Sequence, residues 1–354
     1  MKVGLILPGN IWFSPYVKIY TDILDKLNIS YDIISWNRDG KDKIIGYQFN
    51  YQGNMHGRLS KFLPYVKYAK YIKNLVIKNK YERLIVFGPQ IAIFLSSFLA
   101  KNYNKKFIFD YRDLSIEQKW YFKSRFRTVL SSSFANVISS PGFKKCLPSN
   151  FDYLISHNFD INIVRKSLEN NQIFKMDKDK ISVLTIGGIR DFSSNVEVLK
   201  GLGNKPDFSI EFVGKGNGAV LLEQYAKDNN INNVTFKGYY PKEEEHIYIE
   251  GSTFLNIFYP KIISHSTALS NRFYNALIYK RPMIVTNNSI QGDYVEKYNL
   301  GLSLSDCDNI DLKIKDFIKN LDKPSFVSRC NNLLMDFLKD YDEIYSMIEK
   351  LFDK

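Results

Sequence analysis

The sequence predicts an α/β protein built from two doubly wound domains. Three observations predict it: the length, a strand–helix alternation that runs twice along the chain, and one polar stretch between the two runs. The chain has 354 residues, more than a single hydrophobic core usually serves, which suggests two domains of roughly 150–200 residues. Its composition is 45% hydrophobic, 24% charged and 15% aromatic, enough apolar material for two packed cores and unlike that of a disordered chain. Strand-length apolar runs alternate with helically spaced ones across short turns, the pattern of parallel sheets covered on both faces.

In the first run, residues 2–8 (KVGLILP) read as a buried strand that ends in Pro8-Gly9-Asn10, a turn. Residues 15–27 place Val17, Tyr20, Ile23, Leu24 and Leu27 at helical spacing. Strands follow at 31–36, 82–88, 106–111, 135–139 and 153–157, and helices at 58–80, 91–100 and 116–130. The second run has cleaner punctuation. Strands are expected at 181–188, 208–214, 234–239, 253–259 and 282–286. Helices are expected at 195–202, 219–228, 242–250 and 269–279, with a broken helical stretch over 310–352. The polar residues between the runs read as a linker. The expected organisation is a first domain over 1–165, a linker over 166–180, a second domain over 181–335, and a C-terminal helix over 336–354 that packs back on the first domain. In such sheets ligands bind beyond the carboxyl ends of the strands, and with two domains the cleft between them is the default site.

Charge is unevenly placed. The formal net charge is +12, yet residues 1–165 hold 25 Lys and Arg against 11 Asp and Glu, while the remainder is slightly acidic. Only one domain is therefore expected to meet an anionic partner. Cys146, Cys307 and Cys330 are far apart and odd in number, which argues against a disulfide framework or a zinc site and fits a reducing compartment. The apolar run after Met1-Lys2 is too short for a signal peptide, and the longest apolar stretch, from Ile91 to Ala100, is about half of a membrane span. A cytoplasmic location is expected. His56, His157, His246 and His265 show no metal-ligand spacing, so no metal is expected.

Two glycine-rich strand exits stand out, Gly187-Gly188-Ile189-Arg190 and Gly214-Lys215-Gly216-Asn217-Gly218. Glycines there let a ligand approach the backbone, and the following helix offers free N–H groups to a phosphate. Ordinary turn chemistry is the alternative. Neither loop is a GxGxxG or GxxxxGK[ST] motif. The stretch SNRFYNALIYKRPMIV over 270–285 pairs a helix capped by Ser270 and Asn271 with a short strand. Arg272 falls in the first turn, where a cation opposes the helix dipole. Either a negative ligand holds it or it is an ordinary surface arginine.

With this stretch the sequence resembles the second domain of GT-B glycosyltransferases, in particular glycosyltransferase family 4 and relatives from bacterial polysaccharide assembly. The resemblance rests on the strand and Gly-Gly-x-Arg at 186–190, FVGKGNG at 212–218, NVTFKGYYP at 233–241 and NALIYKRPMIVT at 275–286, in order and at family spacing. It implies two Rossmann-like domains facing each other across a cleft, the second binding a nucleotide-sugar donor and the first an acceptor. It further implies that Gly9, Gly188, Arg190, Gly214, Gly216, Tyr240, Ser270, Asn271 and Arg272 serve the donor. His265, ahead of the Ser270 helix, is a further donor candidate or else a structural loop histidine, and Asn275 is a candidate for the ribose hydroxyls. A protein cation with helix N–H groups would neutralise the leaving diphosphate without a metal, and no cofactor beyond the donor is expected. The family's paired glutamates are absent: their places hold Thr267 and Asn275, and a family lysine is Asn195. Hence two further readings stand beside the transferase: a nucleotide-sugar epimerase of the same architecture, and a degenerate protein that binds glycan or a partner enzyme.

In the first domain, Asp110, Arg112 and Asp113 follow a strand and are the candidate catalytic residues: a carboxylate as general base, or Arg112 orienting a phosphate. A helix cap at Asp113 and a buried ion pair are the alternatives. A basic aromatic surface is expected from Lys67, Lys70 and Lys73 together with Lys119, Trp120, Lys123, Arg125 and Arg127. Such a surface suits an anionic membrane carrying a lipid-linked glycan acceptor, against the alternative of a solvated helix face over a normal core. No nucleic-acid motif accompanies the charge, and no nucleic-acid partner is expected.

Overall fold

The computed structural model describes residues 2–40, 45–52, 58–169 and 180–352, with the side chains of 58–61 excepted. The chain divides into two compact units, Met1–Asn158 with Lys339–Lys354, and Phe159–Leu338.

Among the described residues the first unit holds seven parallel strands: β1 (Lys2–Ile6), β2 (Ser30–Asn37), β3 (Tyr47–Asn50), β4 (Arg83–Phe87), β5 (Phe107–Tyr111), β6 (Ala135–Ile138) and β7 (Leu154–Ile155). Their spatial order is β3-β2-β1-β4-β5-β6-β7. Helices α1 (Val17–Lys26), α2 (Arg58–Asn79), α3 (Pro89–Asn102) and α4 (Lys123–Ser132) make the crossovers. β5 is buried along its whole length and β4 in all but Arg83, as near-continuous apolar strands must be when helices cover both faces. The strand order reverses between β1 and β4, and there the two strand exits part and leave a crevice.

Two local departures have physical causes. The helix expected over 116–130 is replaced by short 3₁₀ turns at Ile116–Gln118 and Trp120–Phe122, followed by α4. Glu117 turns inward, where its Oε1 accepts from the Tyr111 hydroxyl at 2.7 Å and from the Ser115 amide at 2.8 Å. Those bonds hold the segment out of helical geometry. β3, absent from the sequence reading, is a four-residue edge strand, held through Phe49 packing on Trp36 at 5.9 Å.

The second unit holds six parallel strands among the described residues: β8 (Ile181–Ile186), β9 (Phe208–Val213), β10 (Val234–Lys237), β11 (Phe254–Ile257), β12 (Met283–Thr286) and β13 (Gly301–Leu304), in the order β10-β9-β8-β11-β12-β13. Its helices are α5 (Ile161–Glu169), α6 (Phe192–Leu202), α7 (Asn217–Asp228), α8 (Glu245–Glu250), α9 (Ile263–Thr267), α10 (Asn271–Ile278), α11 (Ile290–Tyr298) and α12 (Ile310–Lys319). Separate apolar clusters fill the two sides of the sheet, one around Phe273, Leu277 and Leu333, the other around Leu199, Phe212 and Ile310. The order reverses between β8 and β11.

The expected linker begins inside a helix. Ile161, Val164 and Leu168 lie at helical spacing, and Val164 and Leu168 put α5 on the second unit's core. The Ser167 hydroxyl also donates to the Ile278 carbonyl at 2.6 Å. The rest of the linker, residues 170–179, lies outside the described residues. The last helix, α13 (Lys323–Phe352), begins in the second unit and ends in the first. In the first unit its Asp340 meets buried His157 at 2.8 Å, and its Leu351 carbonyl accepts from Arg83 Nε at 3.1 Å.

Candidate functional site

At the reversal point of the second sheet the exits of β8 and β11 border a cavity of about 350 Å³. Gly187, Gly188, Arg190 and Asp191 line it from the β8 exit, Tyr259 from the β11 exit, and His265 from α9. Ser270, Asn271, Arg272 and Asn275 line it from α10 and its cap, Glu245 from α8, and Gln291 from α11. The structure thus gathers seven of the sequence-predicted donor residues on one cavity: Gly188, Arg190, His265, Ser270, Asn271, Arg272 and Asn275.

Their roles differ. Arg190 is exposed and makes no hydrogen bond or ion pair with a described residue, so its guanidinium is free for a ligand. Arg272 is 7% exposed and spent on the protein itself. Its Nε donates to the Ile186 carbonyl at 2.5 Å, Nη1 to Asn256 at 3.4 Å and Nη2 to Gly188 at 3.1 Å. Carbonyls at the ends of β8 and β11 hold it on the cavity wall, because acceptors at strand exits lack ladder partners. Arg272 therefore ties the glycine loop to both strands.

Ser270 caps α10, accepting from the Phe273 amide at 3.3 Å and donating to Gln291 Oε1 at 2.7 Å. Gln291, almost wholly buried, went unnoticed in the sequence. Its only local signal is the cap Ser289, which accepts from the Gly292 amide. His265 stacks on Tyr259 with ring centroids 4.9 Å apart and lies 3.9 Å from Asp191 Oδ2. Beneath the cavity, Asn256 Nδ2 donates to Asn195 Oδ1 at 3.0 Å and Thr185 Oγ1 at 2.9 Å, and Asn195 Nδ2 donates to the Asp191 carbonyl at 2.6 Å. This network fixes the loop from below.

The other donor candidates stand elsewhere. Gly214 and Gly216 are absent from the cavity lining. At φ +135° and +159°, a Cβ on either would fall 2.0–2.1 Å from the carbonyl oxygen of Gly187 or Ile189. They are glycine so that two strand exits can touch. Tyr240 sits behind the cavity wall, its hydroxyl donating to Glu245 Oε1 at 2.8 Å. Burial, then Glu245, pushes that phenol's pKa well up. Gly9 belongs to a pocket of the first unit.

That pocket, about 360 Å³, opens at the reversal point of the first sheet. Pro8, Gly9 and Asn10 line it beyond β1, with Arg38, the Gly88-Pro89-Gln90 start of α3, Arg112 and Asp113. Asp110 is wholly buried. Its Oδ1 lies 2.5 Å from Arg112 Nε as an ion pair rather than an aligned hydrogen bond, and its Oδ2 accepts from Arg112 Nη2 and the Tyr20 hydroxyl, each at 2.5 Å. Arg112 also donates to the Ser156 carbonyl and hydroxyl at 3.0 Å and lies over the Tyr16 ring at 4.6 Å. Burial opposes the Arg112 charge, but Asp110 more than offsets it and holds the guanidinium protonated. Asp110 is thus a buried partner and no free base. Asp113 is left as the solvent-open carboxylate of the pocket, and it caps no helix. Crowding by the pocket walls raises its pKa above the ordinary value, partly countered by Arg112.

Lys67, Lys70, Lys119, Trp120, Lys123, Arg125 and Arg127 are all exposed, and Lys73 partly so. On α2, Phe62 and Val66 are exposed rather than in the core, at 44% and 41%, and Leu63 joins them at 53%. The buried face uses Tyr68, Ala69, Ile72 and Val76 instead. A chain of rings joins the two basic stretches: Phe62 to Phe94 at 4.9 Å, Phe94 to Phe122 at 6.1 Å, Phe122 to Tyr121 at 4.7 Å and Tyr121 to Trp120 at 5.6 Å. Among the described residues no helix is long and apolar enough to cross a membrane.

No family model matches the chain, and no curated protein does. Solved structures match over nearly the whole length. Sucrose-phosphate synthase from Thermosynechococcus elongatus is 12% identical, covers 99% of each chain and superposes with a TM-score of 0.71. WaaG, a glycosyltransferase involved in lipopolysaccharide biosynthesis, is 11% identical over 98% of this chain and 99% of its own, with a TM-score of 0.62. A UDP-GlcNAc 2-epimerase from Neisseria meningitidis, bound to UDP-GlcNAc, is 12% identical over 96% of this chain and 100% of its own, with a TM-score of 0.57. With two parallel-sheet α/β units matched end to end by such structures, the chain has the GT-B fold.

Proposed function

We propose that the chain is a glycosyltransferase that moves a sugar from a nucleotide-sugar to a lipid-linked or polysaccharide acceptor at an anionic membrane surface, in the assembly of cell-surface polysaccharide. The observation that carries it is the free Arg190 guanidinium beside the Gly187-Gly188 exit of β8, on a cavity at a sheet's reversal point. A diphosphate there gains a cation and glycine backbone that lets it approach closely. As the sugar–oxygen bond breaks, the leaving diphosphate gathers charge, and a fixed cation stabilises that charge without reorganising. Asp113 is the proposed base: it takes the acceptor hydroxyl's proton as that oxygen bonds to the sugar carbon. The exposed basic and aromatic ridge is the proposed membrane face, since each lysine near an anionic surface contributes about 1 kcal/mol and aromatic rings favour the interface.

The test is turnover of a panel of nucleotide-sugars with membrane-extracted acceptor, in wild type and Arg190→Gln. The reading predicts release of nucleoside diphosphate that depends on acceptor and falls about tenfold or more in the variant. Acceptor-independent chemistry on every donor would sink it. A second reading, epimerisation, has one observation of its own: the His265 imidazole and the Asp191 carboxylate, two groups able to move a proton, stand 3.9 Å apart on the same cavity. Isomerised donor in the absence of acceptor would favour it.

A further inference from the structure

We infer that Glu245 is the diol-binding carboxylate of the second unit's cavity, accepting from vicinal hydroxyls of the bound nucleotide-sugar. The inference rests on the nucleotide-sugar reading above. The sequence gives no reason to notice this residue. It opens a short helix of six residues in an acidic stretch, Glu243-Glu244-Glu245, that reads as solvated surface.

The structure sets Glu245 apart from its neighbours. Its side chain is only 14% exposed, yet it lines the cavity. Three donors from different places hold it. Asn275 Nδ2 on α10 reaches Oε2 at 3.1 Å, and the Tyr240 hydroxyl reaches Oε1 at 2.8 Å. The Lys242 ammonium also pairs with Oε2. Asn275, in a position where a carboxylate would have been a charged acceptor, is instead the donor that aims one.

Acceptor capacity then limits what Glu245 can take. A carboxylate has about four lone-pair sites. Asn275 and Tyr240 are fixed by α10 and by burial, whereas Lys242 is 72% exposed and can exchange with water or ligand. Two sites therefore remain for a ligand, enough for one pair of adjacent hydroxyls. A carboxylate beside a diphosphate would repel it, so charge sorts the ligand: phosphate toward Arg190, hydroxyls toward Glu245. The ribose of the nucleotide and the transferred sugar both offer a vicinal diol, and the experiment separates them.

The experiment compares wild type, Glu245→Gln and the double variant Glu245→Gln/Asn275→Glu, with thermal unfolding confirming that each folds. Calorimetry measures binding of UDP, GDP and ADP, then of the tightest binder's 2′,3′-dideoxy form and of its hexose conjugate. Wild type is expected to bind the dideoxy form about tenfold more weakly. Glu245→Gln is expected to lose most of that preference. The double variant, which moves the carboxylate to the other end of the same hydrogen bond, is expected to recover it. Loss of preference for the hexose conjugate alone also supports the inference and assigns the diol to the transferred sugar. If Glu245→Gln keeps every preference of the wild type, the inference falls while the nucleotide-sugar reading stands. If wild type binds no nucleoside diphosphate or conjugate, both fall.

Discussion

Replacing Arg272 with methionine separates a structural arginine from a ligand-binding one. The substitution keeps the apolar stem and removes the guanidinium that bonds to the carbonyls of Ile186, Asn256 and Gly188. Gly188 is exposed and its carbonyl can turn to water, but Ile186 and Asn256 are nearly wholly buried. Leaving two buried acceptors without donors costs about 1–3 kcal/mol each. The second unit should therefore lose about 2–5 kcal/mol, which lowers the melting temperature of a domain of this size by roughly 5–15 °C. The assay is thermal unfolding followed by a probe of the second unit, with and without saturating nucleoside diphosphate. Ligand should still raise the midpoint, because Arg190 is untouched. The reasoning is refuted if the unliganded midpoint holds to within about 2 °C while ligand stabilisation disappears, for then Arg272 serves the ligand and not the loop.

Four further outcomes are expected. Asp113→Asn should cut transfer about 10²–10⁴-fold and leave nucleotide binding intact, whereas Asp110→Asn should destabilise the first unit by about 3–5 kcal/mol by leaving Arg112 buried and unpaired; circular dichroism melts and initial rates distinguish them. Because the Asp113 carboxyl titrates above its ordinary range, the acid limb of the transfer rate should lie at correspondingly higher pH and should vanish with the residual rate of Asp113→Asn. Burial lowers the pKa of His157 against the pull of Asp340, so the unfolded chain takes up the proton first; stability of the first unit should be level above about pH 6.5, fall as pH drops below it, and fall less in His157→Gln, as read by urea midpoints. Neutralising Lys67, Lys70 and Lys73 should weaken sedimentation with vesicles containing phosphatidylserine by up to about 3 kcal/mol without changing nucleotide affinity; Trp120→Ala should weaken it further.

What the sequence discloses follows from how local each feature is. β4, β5 and β8 were legible because a strand buried on both faces is written as an uninterrupted apolar run. β13 and α11 were not, since Gly301–Leu304 is short and Ile290–Tyr298 mixes polar and apolar residues without a clear stripe. α5 was lost to its polar majority, although Ile161, Val164 and Leu168 carried the spacing. At the site, the glycine exits and the Ser270 cap were visible because turns and caps are local chemistry. The fate of Arg272 was not, because its acceptors lie in β8 and β11, far away in sequence. The same holds for Glu245, which matters through Asn275, a residue 30 positions later. The Asp110–Arg112 pair stood open in the sequence as either a base or an ion pair, and burial decided it.

The most direct test of the account is a structure of the protein with a bound nucleoside diphosphate. The diphosphate is expected beside Gly187, Gly188 and the Arg190 guanidinium, with Arg272 still on its three carbonyls and the ribose or sugar hydroxyls toward Glu245. A diphosphate bound elsewhere, or one that draws Arg272 off the strand ends while Arg190 stays in solvent, would contradict it.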